Sequence, residues 1–253
     1  MIDIHSHILP GLDDGAKTLD ESLAMLRIAV GAGTTDIVAT PHANLEFSFD
    51  PQLVGRKIAE LEAAANGIIR IHRGCDFHLH YDNIQDALTN PTKYAINHKS
   101  YVLVEFSEFL IAKSTDDVFY RLRAAGMIPI ITHPERNGLL LQQIDRLAGW
   151  VANGCRLQVT ALSFLGGFGK LPKTFCDELM KRGLVHFVAS DAHDTRHRPP
   201  RLDDAHRYIA KKFGAARADQ VCVLNPKAAL AGDPIDVGDI EELAPSRKWY
   251  RFW

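Results

Sequence analysis

The chain has 253 residues, 46% of them hydrophobic, and a formal net charge of −2. This length and apolar content are sufficient for one large domain and do not require a second. Basic and acidic residues are interspersed, which argues against the basic surface that general nucleic-acid binding uses, and no apolar run approaches the roughly 20 residues that span a bilayer.

Seven apolar runs along the chain are typical of β-strands. They begin near Ile2, Asp36, Ile68, Tyr101, Met127, Arg156 and Val185. Stretches with helical spacing lie between them, so we interpret the chain as repeated βα units. Seven consecutive parallel units favour a barrel, and a doubly wound open sheet is the alternative.

The first helical stretch has the clearest boundaries. Thr18 and Glu21 have capping-box spacing before a run of period 3.6, and Gly33 is placed to end it. Further helices are predicted to begin near Asp50-Pro51, Ser114, Leu139, Pro172 and Pro200-Arg201. Glycines at the matching ends are Gly67, Gly126, Gly154, Gly183 and Gly214.

A histidine or an acidic residue occurs at the end of almost every strand-like run. Singly, each has a structural interpretation, because a lone histidine is more often a hydrogen-bonded residue and an acid after a strand is more often a helix cap. Residues two apart in a strand point the same way, so His5 with His7, and Asp191 with His193, can share an ion. Together the candidates could hold two or three cations at one rim of a parallel sheet. They are His5, His7, Asp14, His42, Asp76, Glu105, His133, Asp191 and His193.

Four sequence motifs carry a family resemblance. The strings MIDIHSHILPGLDDGA, ATPH, HPERN and ASDAH resemble the PHP (polymerase and histidinol phosphatase) superfamily. Within it they look most like the bacterial tyrosine-protein phosphatase branch, the CpsB- or YwqE-like capsular and exopolysaccharide phosphatases. The resemblance runs from Met1 to about Pro226. It implies a single α/β domain over 1–253, with a distorted seven-stranded (β/α)7 PHP barrel to about residue 226 and a tail at 227–253.

The resemblance also implies a trinuclear, usually manganese-dependent site. One metal would lie among His5, His7, Asp76 and Asp191. A second would lie among His42, His193 and Asp14. A third would be held by Glu105 and His133, with Asp76 bridging. Similar proteins have Glu in a G-x-E motif where this chain has Gly74-Cys75-Asp76, so the expected bridging carboxylate is one methylene shorter. Nitrogen and oxygen ligands without thiolate also suit Fe or Zn.

The chemistry implied by the resemblance is hydrolysis of a phosphomonoester by attack of a metal-bound hydroxide. Arg136 and Arg198 lie where the family has phosphate-binding arginines, and guanidinium forks suit phosphate. Their structural alternatives are a helix-start contact with Glu135 and a surface salt bridge, respectively. Asp194 is a weaker candidate for a proton donor. Two further histidines could approach the rim or lie in a polar loop, namely His78 and His80.

The substrate implied by the resemblance is phosphotyrosine in a protein, with a bacterial tyrosine kinase of capsule or exopolysaccharide synthesis as the natural target. Alternatives are a histidinol-phosphate phosphatase, a PHP-type nuclease, or a non-catalytic metal-binding regulatory module. Cys176 and Arg182 have the C-x5-R spacing of cysteine-dependent phosphatases. The segment between them lacks glycine and is typical of a helix, so we interpret the spacing as chance.

Four widely spaced cysteines without a C-x-x-C motif argue against a zinc knuckle and a disulfide framework. Reduced thiols in a reducing compartment are the simpler interpretation. No charged-then-apolar leader precedes the first strand, so we expect a cytoplasmic protein with no transmembrane segment. The sequence leaves open its oligomeric state and the role of the aromatic and basic tail at 246–253.

Overall fold

The computed structural model describes residues 1–235 and residue 237, and it has an α/β fold in which paired strands run parallel. The described strands are β1 (Ile2–Ser6), β2 (Asp36–Ala39), β3 (His42–Ala43), β4 (Arg70–Arg73), β5 (Asp76–His78), β6 (Tyr101–Glu105), β7 (Ile128–Thr132), β8 (Arg156–Thr160) and β9 (Phe187–Ala189). The described α-helices are α1 (Leu19–Gly31), α2 (Pro51–Ala65), α3 (Tyr81–Thr89), α4 (Thr115–Ala124), α5 (Ile144–Ala152), α6 (Ala161–Leu165), α7 (Lys170–Lys181), α8 (Asp203–Phe213), α9 (Ala215–Asp219) and α10 (Asn225–Ala231). Short 3₁₀ segments span Ile96–His98 and Leu140–Gln142, and a π-helical segment spans Gln220–Leu224.

The strands form two sheets. One has the order β1-β2-β4, and the other has the order β3-β5-β6-β7-β8-β9. A single parallel bridge from Ser6 to Ala192 joins the edge strand β1 to the chain just after β9. The predicted α/β class and the parallel strands are therefore confirmed. The predicted single seven-stranded barrel is not, because the hydrogen bonds among residues 1–235 and 237 define two sheets rather than one closed sheet.

Two of the seven expected strands are each divided. The second becomes β2 and β3, with Pro41 between them, and the third becomes β4 and β5, with Gly74 between them. Pro41 has no N–H to donate to a ladder. A Cβ on Gly74 would lie 2.8 Å from Val38 Cγ1, so the chain turns where only glycine fits. The second half of each strand consequently pairs in the larger sheet rather than the smaller one.

The predicted start of α1 is confirmed. Thr18 Oγ1 accepts a hydrogen bond from the Glu21 backbone N–H at 3.2 Å, and the Glu21 carboxylate accepts one from the Lys17 N–H at 2.8 Å. The start of α2 follows the same principle, because Asp50 Oδ1 accepts from the Gln52 N–H at 2.8 Å. The Thr18 and Asp50 contacts satisfy N–H groups that a helix leaves without partners at its first turn, whereas the Glu21 contact satisfies the N–H of Lys17 just before the helix.

Four short helices were not predicted from the sequence, namely α3, α6, α9 and α10. In none of them does the N-cap side chain make a capping hydrogen bond. Helices of this length are marginal by themselves and depend on tertiary packing. A side-chain N-cap is therefore missing from all four helices, and α10 carries another start signal, Pro226 in its first turn.

An aromatic cluster supports the end of β6. The Phe106 and Trp150 rings stack with centroids 5.3 Å apart, and Phe119 meets Trp150 edge-on at the same distance. The Trp150 indole N–H donates to Asp116 Oδ1 at 2.6 Å, so its polar atom has a partner. This cluster holds the chain directly after Glu105.

Within the part of the chain that the structure describes, no helix combines the length and apolar character needed to cross a bilayer. Helix α10 continues past residue 226, where the barrel was expected to end. The division into a domain and a tail at 227–253 stays a prediction, since the aromatic and basic residues 246–253 lie outside the described residues.

We predict that Phe119→Ala lowers the free energy of unfolding by about 3–5 kcal/mol, because it leaves a cavity beside Phe106 and Trp150. Tyr120→Ala is the matched control, because Tyr120 is the next residue in the same helix and is 70% exposed. The control should change stability by at most about 0.5 kcal/mol. Denaturant unfolding followed by tryptophan fluorescence measures both, and equal effects of the two substitutions would contradict the packing assignment.

Candidate metal centre

The structure brings the nine predicted ligands together and adds a tenth residue, His78. Their nitrogen and oxygen atoms fall into four overlapping groups, and within each group all ligand atoms lie within 4.8 Å of one another. The groups are His7 with Asp14, His42 and His193; His42 with Asp76, His78 and Glu105; His5 with His7 and Asp76; and His5 with His133 and Asp191. The shared members make this one continuous cluster.

Strand register explains the positions of four of the ten cluster residues. His42 and Asp76 are paired residues at the starts of β3 and β5, and His78 is paired with Glu105 across β5 and β6. Paired residues on neighbouring strands lie side by side, so their side chains reach the same point on one face of the sheet. The sequence left open whether His78 approaches the rim or lies in a polar loop, and the structure places it in the cluster. His80 is not in these groups and lies at the start of α3.

His5 and His7 are held with one ring nitrogen of each turned toward the cluster. The His7 Nδ1–H donates to Asp13 Oδ2 at 2.7 Å, and the His5 Nδ1–H donates to Gln158 Oε1 at 2.9 Å. The two Nε2 atoms then lie 3.2 Å apart. A hydrogen bond at one imidazole nitrogen fixes the tautomer and leaves the other nitrogen free to ligate a metal. Neither Asp13 nor Gln158 was predicted from the sequence.

The segment after β1 folds back over the same histidine. The Ala16 N–H donates to the His7 carbonyl at 3.0 Å, and a Cβ on Gly15 would lie 2.0 Å from that carbonyl oxygen. Only glycine allows this approach. The fold-back places Asp14 Oδ1 3.3 Å from His42 Nε2 and 3.4 Å from His193 Nε2, with the Asp14 side chain 53% exposed at the opening.

Two cluster residues have an unusual backbone. His133 has φ 32° and Asp191 has φ 50°, in the left-handed region that non-glycine residues rarely adopt. Their N–H groups are bound to Gln158 O at 2.8 Å and to His5 O at 2.9 Å, respectively. Strain of this kind persists only where the surroundings enforce it, and it is found preferentially at functional sites.

The two predicted arginines both reach the cluster. Arg136 and Arg198 each donate to Asp191 Oδ2. The Arg136 guanidinium therefore binds Asp191 rather than making a helix-start contact with Glu135, and Arg198 binds a buried carboxylate rather than forming a surface salt bridge. The Phe168 ring lies over the Arg136 guanidinium at 4.5 Å, which holds its plane.

Glu135 has a separate role that the sequence analysis did not identify. Its Oε1 accepts hydrogen bonds from the Thr160 N–H at 2.8 Å and from the Ser163 hydroxyl at 2.7 Å. The side chain is fully buried. This contact ties the loop that carries His133 and Arg136 to the end of β8 and the start of α6.

Asp194 shapes a loop rather than pointing into the cluster. Its Oδ1 accepts from the backbone N–H groups of Arg196 and His197, both at 2.6 Å. Although partial burial opposes it, these bonds lower the pKa of the carboxyl. A group stabilised as the anion is poorly suited to donate a proton.

Burial and opposite charges shift several pKa values in the cluster. Burial, followed by the charge of Glu105, raises the pKa of Asp76 to about 7. Burial opposes protonation of His7, but the Asp13 carboxylate raises its pKa to about 9. Burial likewise opposes protonation of His42, but the nearby Asp14 and Asp76 carboxylates raise its pKa to about 11. Imidazoles and carboxylates therefore share protons here that a metal ion would displace.

The donor atoms suit divalent cations. The buried atoms without a geometrically acceptable hydrogen bond include both Asp76 carboxylate oxygens, His42 Nδ1, His78 Nε2 and Glu105 Oε2. Yet His42 Nδ1 lies 2.9 Å from Asp76 Oδ2, so the atoms converge without the angles of a hydrogen bond. Buried polar atoms normally have partners, and a shared cation would satisfy all of these at once.

A parallel α/β fold with imidazoles and carboxylates gathered at one edge of its sheets is typical of metal-dependent hydrolases. The chain belongs to the family described as capsular polysaccharide synthesis, CpsB/CapC, whose model matches residues 1–231.

Named relatives cover most of the chain. It is 35% identical to the tyrosine-protein phosphatase YwqE of Bacillus subtilis (strain 168), over 85% of this chain and 86% of the relative. It is 31% identical to the tyrosine-protein phosphatase CpsB of Streptococcus pneumoniae, over 91% of this chain and 98% of that relative. Crystal structures of these two proteins are described as unique metal-dependent tyrosine phosphatases. One of those chains superposes with a TM-score of 0.88 and 32% identity, covering 93% of this chain and 96% of that chain.

We predict that Asp13→Ala weakens Mn²⁺ binding about 10–100-fold, because His7 loses the hydrogen bond that orients its ring. Isothermal titration calorimetry measures the affinity. Asp20→Ala removes an exposed carboxylate from α1 and should leave the affinity unchanged. Unaltered Mn²⁺ binding by the Asp13 variant would show that His7 does not ligate through Nε2.

We also predict that Mn²⁺ affinity rises with pH between about 6 and 8. Asp76, His7 and His42 have raised pKa values, so they retain protons that metal ligation must remove. About two to three protons should be released at pH 7, one each from His7 and His42 and about half of one from Asp76. Calorimetry in buffers of different ionisation enthalpy counts them, and binding without proton release would contradict these protonation states.

Proposed function

We propose that this chain is a metal-dependent tyrosine-protein phosphatase that hydrolyses phosphotyrosine in proteins. The observation that carries the proposal is the gathering of ten metal-ligand candidates in one cluster, with Arg136 and Arg198 both bound to one of them, Asp191. Metal cations and guanidinium groups placed close together stabilise the negative charge on the oxygens of a phosphoryl group. Membership of a family whose named members are tyrosine-protein phosphatases supports the choice of substrate.

Three groups of residues would hold two or three divalent ions. The first is His5, His7, Asp76 and Asp191. The second is His42, His193 and Asp14. The third is Glu105 and His133, with His78 beside Glu105. We propose Mn²⁺, with Fe or Zn as alternatives, because all of these ligands are nitrogen or oxygen. When bound, such ions supply Lewis-acid charge to phosphoryl oxygens and lower the pKa of water.

The residues of the chain supply the positioning. Arg136 and Arg198 bind the non-bridging phosphoryl oxygens through their guanidinium forks. Phe168 keeps the Arg136 plane fixed, and Glu135 keeps the Arg136 loop against β8. The phenolate leaving group of tyrosine has a pKa of about 10, so it departs with little help from a protein acid. Asp194 therefore needs no role in protonation.

The natural target that we propose is a bacterial tyrosine kinase of capsule or exopolysaccharide synthesis, because the family is described by capsular polysaccharide synthesis. We propose the cytoplasm as the location. Four free, buried thiols suit a reducing compartment.

For the architecture, we propose that the two sheets, joined by the bridge from Ser6 to Ala192, act as a distorted barrel around the metal centre.

A cysteine-dependent mechanism has no support in the geometry. Cys176 lies in α7, fully buried, and burial raises the pKa of its thiol well above the usual range. Arg182 is bound to Glu178 at 2.8 Å instead of facing the thiol. A nucleophilic cysteine needs an accessible thiolate and backbone N–H groups turned toward the phosphate.

We predict that chelation abolishes hydrolysis of a phosphotyrosine peptide, that added Mn²⁺ restores it, and that Cys176→Ser leaves it intact. Phosphate release measures the activity. Histidinol phosphate and short single-stranded DNA, assayed in parallel, should be turned over poorly. Activity that survives chelation but is lost in Cys176→Ser would replace the metal mechanism, and preference for either other substrate would replace phosphotyrosine.

A further inference from the structure

A cleft of about 540 Å³ opens beside the metal centre. Two of its lining residues, His78 and Glu105, belong to the ligand cluster, so the cleft lies directly next to the position of a phosphoryl group bound at the metal centre. We call this the flank cleft and define it further by Leu45 and Phe109 on its outer walls.

The outer walls of the flank cleft expose large apolar side chains. Leu45 is 83% exposed and Phe109 is 91% exposed. Both lie in turns with local support, because Asn44 Oδ1 accepts from the Phe47 N–H at 2.8 Å and Ser107 Oγ accepts from the Phe109 N–H at 3.2 Å. Exposed apolar groups grouped at a cleft indicate a binding surface.

The charge of the flank cleft is opposite to that of the phosphate side. Glu46 and Glu108 line it outside the ligand cluster, beside His80, and its lining contains no lysine or arginine among the described residues. Arg136 and Arg198 lie on the other side, around Asp191. The cleft therefore complements a cationic group next to the phosphate rather than a second anion.

The flank cleft continues into a second hollow of about 420 Å³. The two share Leu79, Phe106 and Ser107, and the second is lined further along by Ile84, Leu110 and Val118, with Asp117 and Arg121 among its polar residues. Together they offer a largely apolar surface that extends away from the metal centre. A single small phosphate ester would not cover such a surface, whereas an extended peptide would.

We propose that the flank cleft binds the polypeptide next to the phosphotyrosine, with an apolar residue against Leu45 and Phe109 and a lysine or arginine beside Glu46 and Glu108. The proposal rests on the proposed function, which places the phosphotyrosine at the metal centre. It makes these four residues determinants of peptide selection, while the metal centre determines the reaction.

The test compares three substrates: p-nitrophenyl phosphate, a phosphotyrosine peptide with Leu and Arg flanks, and the same peptide with Asp flanks. Leu45→Ala/Phe109→Ala should lower kcat/KM for the Leu and Arg peptide about tenfold and leave p-nitrophenyl phosphate unchanged. Leu224→Ala is the control, since Leu224 is 59% exposed and does not line the cleft. Glu46→Lys/Glu108→Lys should invert the preference between the two peptides.

The outcomes separate this proposal from the proposed function. Hydrolysis of all three substrates with unchanged peptide selectivity in both double variants would overturn the flank cleft and leave the phosphatase intact. Equal losses on peptide and p-nitrophenyl phosphate would also overturn it, because the residues would then support the metal centre. Absence of hydrolysis by the Mn²⁺-loaded unmodified chain would reject the proposed function itself.

Discussion

The carboxylate of Asp191 is the constraint on which the site depends. One oxygen lies 3.4 Å from His5 Nε2 and 3.5 Å from His7 Nε2, and the other accepts from Arg136 and Arg198. Although it is buried, these cationic neighbours hold the pKa of Asp191 well below its usual range. It joins the first strand, the β7 loop and the chain after β9 at one anionic point. An isolated buried carboxylate would be costly, so the surrounding groups must be held in place.

The rest of the fold positions these groups in layers of increasing distance. Asp13 and Gln158 orient the two histidines of the first strand, and Glu135 ties the β7 loop to β8. The aromatic cluster at Trp150 then supports the end of β6. Precise positioning of ligands requires such locked neighbours, because a loosely held imidazole or guanidinium loses affinity and rate.

Sequence reasoning identified the residues that carry chemistry better than those that hold them. Eight of the nine candidates, all except Asp14, stand at the ends of strand-like runs, and parallel strand ends meet at one edge of a sheet. His78 was harder to assign, because its place opposite Glu105 depends on the register between β5 and β6. Asp13 stands next to Asp14, and nothing local distinguishes a carboxylate that binds a histidine from one that faces the cluster.

By itself, the sequence determined the α/β class, the ligand candidates at the strand ends and the start of α1, because strand periodicity, residue chemistry and helix capping act over a few residues. Only the tertiary structure decided the division of the strands at Pro41 and Gly74, the two sheets and the hydrogen bonds to His5 and His7. It also decided the meeting of Leu45 and Phe109 at one cleft. These features join residues far apart in the chain, and their geometry depends on packing and register that no local pattern encodes.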